Sequence, residues 1–208
     1  MKKRNSSPPT YLQDDNRSNG HSTEPTLQSS QLLKLFENEL KGIFWVEKSI
    51  TRTIPKLIKY ATSQELIDEL KSHHAETENH ITRLEQVFDS LGRKTASKKC
   101  EVMDSLLKEA REITEVCEAG AMCDAGIIMA IQKIEHYEIA SYGTLCVFAK
   151  TLGEDAAADL LQDTFEEEKD AAEILSEIAQ SISLEVADEF EYDEDTDTMI
   201  ETMSRLNF

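Results

Sequence analysis

The sequence predicts an all-α protein, a bundle of four long helices with a short extra helix in the crossover and a tail at each end. Three observations carry that prediction. Apolar residues recur every three or four positions through four long segments, and no stretch shows the strict alternation of a half-buried strand. Glycine and proline are scarce: seven and four in 208 residues. Three of the four prolines fall before residue 26, so the interior is almost free of helix breakers. A chain of this length suits one domain with a sizeable core.

Residues 1–28 are rich in Ser, Pro, Asn and Thr, lack periodicity, and read as a disordered arm. The first helix is expected over about 29–61, with Leu33, Phe36, Leu40, Ile43, Phe44, Ile50, Ile54 and Leu57 on one stripe. Pro55 lies inside it and should mark a kink or a boundary. The second is expected over about 63–91. Thr62 with Glu65 is read as its capping box and Gly92 as its stop. Its stripe is Leu66, Leu70, Thr77, Ile81, Leu84 and Phe88. A shorter helix, about 101–117, fills the crossover. The third long helix covers about 120–150 and ends near Gly153; the fourth covers about 154–182. The folded unit is placed at 29–187. Residues 188–208 form an acidic tail, with a short amphipathic piece at Met199–Leu206.

The formal net charge is −19 and the isoelectric point near 4.6. Such a chain repels nucleic acid phosphates and anionic lipid headgroups, so cations are its natural partners. The N-terminus has no apolar signal core, and no apolar run reaches the ~18 residues of a membrane span. A cytoplasmic location is therefore expected. The four cysteines show no CxxC spacing, and Cys117 and Cys123 are read as reduced core thiols.

Each long helix carries acid on its apolar stripe. Glu47 lies between Phe44, Ile50 and Ile54. In "SHHAETENH", His73, Glu76 and His80 are three and four apart, on one face. Glu135 and Glu138 follow Ile127, Ile128, Ile131 and Ile134, and Tyr142 comes one turn later. In "DTFEEEKDAAEIL", Glu167 lies on the row of Leu160, Thr164, Ala171 and Ile174, with Glu168 bordering it. The helices also pair as repeats. With Glu47 laid on Glu135, Ile50 meets Glu138 and Ile54 meets Tyr142; with Glu76 laid on Glu167, Leu70 meets Leu161 and His73 meets Thr164. Two such hairpins would pack about a pseudo-twofold axis with their glutamates at the centre.

A single glutamate on a helical stripe usually sits at the stripe's edge in water, and ExxE alone is a weak signal. Four helices, each with a central acid, are a different matter. A lone carboxylate in an apolar interior costs several kcal/mol, and several together repel. Two divalent cations would neutralise most of that charge. Carboxylate and imidazole donors suit iron or manganese, with zinc possible, and helical bundles build such di-metal sites from Glu and Glu/His pairs. Glu135 and Glu138 are accordingly read as ligands, one bridging and one terminal.

At these residues the chain resembles the YciF/YciE-type ferritin-like stress-protein family. The stretches that carry the resemblance are "VEKSITRTIPKLIKYA", "SHHAETENHITRLEQVF", "KKCEVMDSLLKEA", "MAIQKIEHYEIASYGTL" and "LLQDTFEEEKDAAEIL". The resemblance spans about residues 30–182. It implies a rubrerythrin-like, ferritin-like four-helix bundle, a homodimer, and a di-metal centre holding two divalent ions, Fe first with Mn or Zn as alternatives. Carried over position by position, the ligands would be Glu47, Glu76, Glu135, Glu138 and Glu167, with His73 the imidazole. One departure stands out. Rubrerythrin-type helices place His three or four residues after Glu, but Ala171 stands four after Glu167. His80 holds that place in the second helix, and whether His80 or Glu168 binds metal is left open. No rubredoxin-like module with four cysteine ligands accompanies the bundle. Two functions fit: a di-metal redox protein consuming peroxide or oxygen, or a non-catalytic helical dimer whose metal site is structural or vestigial.

Overall fold

The structure, a computed structural model, describes residues 27–189, with side chains as far as Ile182. Nearly all of the predicted arm 1–28 and tail 188–208, including Met199–Leu206, lies outside the described residues. Five helices follow in order: α1 Leu27–Leu57, α2 Gln64–Ser90, α3 Glu101–Val116, α4 Ala121–Leu152 and α5 Asp155–Glu189. The four long ones form a ring in which α1 packs on α2, α2 on α5, α5 on α4 and α4 on α1, while α3 lies against α4 and α1. This is the expected all-α four-helix bundle with a crossover helix. None of the described helices is long and apolar enough to cross a membrane.

The stripes anticipated from periodicity form the core. Phe36, Leu40, Ile50 and Ile54 of α1, Leu66, Leu70 and Leu84 of α2, and Ile127, Ile131, Ile134 and Leu145 of α4 are all buried. At roughly 1.5–3 kcal/mol per fully buried large apolar side chain, this packing is the main force assembling the ring. Two glycines in left-handed conformation stop helices, as their positions suggested. At Gly92 (φ 63°) the Arg93 N–H reaches Phe88 O at 2.9 Å; at Gly153 (φ 77°) the Glu154 N–H reaches Ala149 O at 3.0 Å. Both close a Schellman motif that only a residue tolerant of positive φ permits at low cost.

Three local expectations change. First, α2 has no capping box at Thr62. Its N-cap is Ser63, whose hydroxyl accepts from the Leu66 N–H at 3.4 Å. Thr62 instead belongs to a tertiary clamp. The buried Asp124 carboxylate, in the first turn of α4, accepts from Thr62 N–H (2.8 Å), Thr62 Oγ1 (2.7 Å) and Ser63 N–H (2.8 Å). It thereby fixes the turn between α1 and α2 to the start of α4. Second, Cys117 and Cys123 are joined by a disulfide rather than reduced, their Cα atoms 5.4 Å apart, tying the end of α3 to the start of α4. Spacing alone could not reveal the pair, because only the crossover turn brings the two sulfurs together. Third, α1 continues through Pro55 and ends two residues later. Proline lacks the N–H that would reach the Thr51 carbonyl one turn back. His74 of α2 fills the vacancy, its Nε2 lying 3.1 Å from Thr51 O.

That substitution of one donor for another is testable. His74→Ala should destabilise the protein by about 1 kcal/mol, the usual worth of such a bond. In a Pro55→Ala background the backbone supplies its own N–H, so the same change should cost close to nothing. Urea unfolding of the four proteins of the cycle measures the coupling; equal costs in both backgrounds would refute the role given to His74.

Candidate metal centre

The centre is built by the register of each helix. In α2 the buried positions Leu66, Leu70, His73, Thr77, His80, Leu84 and Val87 advance by alternating steps of three and four. His73 and His80 are thus core positions that happen to be polar. In α5 the same rhythm runs through Ala157, Leu161, Thr164, Glu168, Ala171, Leu175 and Ile178. In α1 it brings in Glu47, and in α4 Glu135, Glu138 and Tyr142.

These side chains meet where the four long helices face one another. Glu47, His73, His80, Glu135, Glu138, Tyr142 and Glu168 are between 0 and 3% exposed. Two groups of donors form, each with ligand atoms within 4.8 Å of one another: His73, Glu135, Glu138 and Glu168, and Glu47, His80 and Glu168. His73 Nε2 lies 3.0 Å from Glu135 Oε1, and His80 Nδ1 lies 3.0 Å from Glu168 Oε1 and 3.7 Å from Glu47 Oε2. Yet these buried pairs lack hydrogen-bond geometry. Both oxygens of Glu135, Glu138 and Glu168, Glu47 Oε2, both nitrogens of His73 and His80 Nδ1 have no hydrogen-bonding partner. Buried polar atoms are nearly always satisfied, and an unpaired carboxylate is among the costliest exceptions. Lone pairs that converge without pairing are the arrangement a cation requires. Two atoms are satisfied: Glu47 Oε1 accepts from the Tyr142 hydroxyl, and His80 Nε2 meets Glu167 Oε2 at 2.8 Å.

The proton affinities respond to this crowding. Burial alone would lower the His73 imidazolium, but the neighbouring Glu135 carboxylate outweighs it and lifts His73 to about 10. Burial opposes His80 too, yet the adjacent Glu168 and Glu47 carboxylates lift it to about 11. Burial and repulsion from Glu168, Glu47 and Glu135 drive Glu138 well above the ordinary carboxylate range. Burial likewise raises Glu168, to about 8. For Glu135 burial again pushes upward, but His73 beside it wins and the group ends below its usual value. Without cations the centre therefore keeps protons that the separate groups would release.

The structure brings together four of the six anticipated ligands: Glu47, His73, Glu135 and Glu138. It leaves out Glu76 and Glu167. Glu76 is half-exposed and bonds to Ser72 at 3.3 Å. It lines a small surface hollow of about 90 Å³ between α2 and α5, together with Glu69, Glu167 and Asp170. Glu167 also stands at this rim, its side chain 37% exposed. His80 and Glu168, which the sequence left open, join the donor groups, Glu168 lying one place after Glu167; one place after Glu76 the buried position is Thr77, which is in neither group. Glu76 and Glu167 do sit three or four residues from buried neighbours, but so do Thr77 and Glu168. Only the register set by Leu70 and Leu84, and by Leu161 and Leu175, tells which of the two faces inward. Glu168 belongs to both donor groups, so it is better placed to bridge than Glu135 or Glu138. Both imidazoles come from α2, because the α5 position matching His80 is Ala171.

Residues 31–188 match the family described as DUF892, a domain of unknown function. The chain is 41% identical over 136 residues to protein YciF of Escherichia coli, covering 65% of this chain and 82% of that protein. Its fold is similar to the crystal structure of the E. coli stress protein YciF, with TM-score 0.71 and 38% identity over 73% of this chain and 96% of the other. It is also similar to YcfI from Rhodopseudomonas palustris, with TM-score 0.68 and 38% identity over 74% and 96% of the two chains.

The electrostatics predict how stability depends on pH. His73 and His80 are raised above their unfolded value of 6.5, so their stabilisation is complete below pH 6.5 and is lost as pH climbs toward 10 and 11. Glu138 and Glu168 are also raised: the folded protein holds protons the unfolded chain gives up, so they too cost stability as pH rises above 4.5. Glu135, lowered, favours folding above 4.5 and loses that contribution in acid. The chelated protein should therefore melt highest near about pH 5–6 and progressively lower up to about pH 10. A saturating divalent cation should flatten that decline, since binding displaces the same protons. Melting curves across pH, with and without cation, check both statements; a chelated protein that gains stability between pH 6 and 9 would contradict them.

Proposed function

This chain belongs to the DUF892 family, and from its buried centre we propose that it is a dinuclear divalent-metal protein, holding iron first and manganese or zinc as alternatives. The observation that carries the reading is the pair of donor groups sharing Glu168, whose buried oxygens and imidazole nitrogens lack other partners. One ion would be held by His73, Glu135, Glu138 and Glu168, the other by Glu47, His80 and Glu168. Carboxylates with one imidazole per ion suit iron and manganese better than the sulfur-rich sets that select zinc.

Held by these residues, two Fe(II) ions would supply the reducing electrons for hydrogen peroxide or dioxygen. The chain's own part is to limit what arrives and to hold the ligands still. The apolar turns Ile43, Ile50, Ile131, Ile134 and Leu161 are buried on the same stripes, so only a very small oxidant is suited to the interior. Tyr142 fixes Glu47 by donating its hydroxyl proton to Oε1. The resemblance to a stress protein of E. coli supports a role in a stress response; a cytoplasmic location, small oxidants as substrates and a homodimer belong to the proposal itself. The depth of the centre favours a second reading, in which the ions only hold the helices together. The two separate by experiment: chelation lowers the melting temperature in both, but peroxide turnover is lost only in the first.

Anaerobic titration with Fe(II) should show two equivalents bound per chain, and subsequent hydrogen peroxide should produce Fe(III) absorbance. Uptake of no iron, manganese or zinc would refute the metal reading; uptake without oxidation would leave the structural one. Size measurement in the same preparation should give a dimer rather than a closed cage.

A substitution turns the centre's cost into a signature. Glu138→Leu removes a buried acid whose two oxygens have no hydrogen-bonding partner and which its neighbours repel, so the change should relieve about 1–3 kcal/mol, the cost of an unsatisfied buried polar group. The chelated variant should accordingly melt higher than the chelated parent, and metal should add much less stability to it than to the parent. A chelated Glu138→Leu protein that melts lower would mean that the carboxylate is satisfied without a cation.

A further inference from the structure

Resting on the metal reading above, we propose that Glu167 is a positioning residue: its carboxylate, clamped by Arg83, holds His80 so that Nδ1 faces the interior as a ligand to one ion of the pair. The argument begins with the two nitrogens of the His80 ring. Nε2 donates to Glu167 Oε2 at 2.8 Å, at the rim between α2 and α5. Nδ1 points the other way, 3.0 Å from Glu168 and without a hydrogen bond of its own. An imidazole can give only one nitrogen to a metal, and the hydrogen bond at the other decides which. Here the outer nitrogen is the committed donor, so the inner one carries the free lone pair once its proton is displaced.

Glu167 is itself held. Arg83, three residues after His80 on α2, binds it with two nitrogens: Nη1 to Oε2 at 2.7 Å and Nη2 to Oε1 at 2.9 Å. Nη1 also donates to Thr164 Oγ1 at 2.7 Å, one turn before Glu168 on α5. A paired guanidinium and carboxylate has one preferred planar geometry, so the oxygen facing His80 is fixed in place rather than free to swing. The chain Arg83–Glu167–His80 thus runs from surface to centre through named hydrogen bonds.

His73 has no such support: its Nδ1 is buried and lacks a hydrogen-bonding partner. The two imidazoles of α2 are therefore inequivalent, and so are the two ions they would bind. Disturbing Glu167 should loosen the ion on the Glu47, His80 and Glu168 side and leave the His73 side unchanged. A purely structural role for Glu167, as half of a surface ion pair, would instead affect folding and spare metal affinity.

Co(II) titration of the full-length chain, followed by its visible and paramagnetic NMR spectra, tests the proposal. The parent should bind two ions and show a hyperfine-shifted, slowly exchanging N–H from His80. Glu167→Ala should weaken one of the two ions about 10–100-fold, the range for lost outer hydrogen bonds to metal ligands. It should also speed exchange of that proton, with the first ion unaffected. Glu167→Gln keeps an acceptor oxygen without the charge and should fall between. Arg83→Met, which frees the carboxylate without removing it, should shift the weaker ion in the same direction by less. Two ions bound by Glu167→Ala with parental affinities and the same proton exchange would overturn the positioning role alone. A parent that binds no Co(II) would overturn the metal reading and this proposal with it.

Discussion

Desolvation of carboxylates governs this molecule. Glu47, Glu135, Glu138 and Glu168 have been taken out of water and placed among isoleucines and leucines, where each charge costs several kcal/mol unless something answers it. Two histidines answer part of it, and protons retained by Glu138 and Glu168 answer more. What is left is a set of oxygens and nitrogens that converge but do not bond to each other. A bundle selected for stability alone would fill the same positions with leucine. The centre is tolerable because the apolar stripes above and below it are long, and their burial offsets a local penalty that a smaller core could not.

The scaffold concentrates its devices on two of the four helices. Helix α2 supplies both imidazoles, the guanidinium that reaches across to α5, and the His74 donor that completes the last turn of α1. Helix α5 supplies Glu168 to the interior and Glu167 to the rim, adjacent in sequence yet on opposite sides of the boundary between dry and wet. The join of α1 and α2 is fixed to α4 by Asp124, whose carboxylate meets three donors at once. The opposite ends of the ring are stopped by Gly92 and Gly153. Rigid ends of this kind keep four helices in register, and register decides which side chains meet in the middle.

The asymmetry of the centre has a chemical meaning. Two hairpins of similar pattern suggest two equivalent ions, yet the α5 position that would match His80 is alanine, and α4 contributes two carboxylates where α1 contributes one. The His73 group has four donors and the His80 group three, with Glu168 common to both. Unequal ligation gives two ions different affinities and different readiness to react. It also explains why one imidazole is braced from outside while the other is not.

Much of this was legible in the chain before any coordinates. Scarce glycine and proline and unbroken three-and-four spacing determine a helical bundle, because burial of an apolar stripe leaves few alternatives. Glycine at 92 and 153 determines where helices stop. Acids on the apolar stripes of all four long helices announce a polar centre, and Glu47, His73, Glu135 and Glu138 are readable as its members. Tertiary structure alone decided the rest. Thr77 already lay on the apolar stripe of its helix, but Glu167 and Glu168 differ by a single step of 100° around theirs, and neighbours at three and four residues allow either. The choice falls to the packing register of Leu70 and Leu161 against the other helices. The reach of Asp124 to Thr62, and of Arg83 to Glu167, likewise depends on distances in space between residues far apart in sequence, which no local pattern encodes.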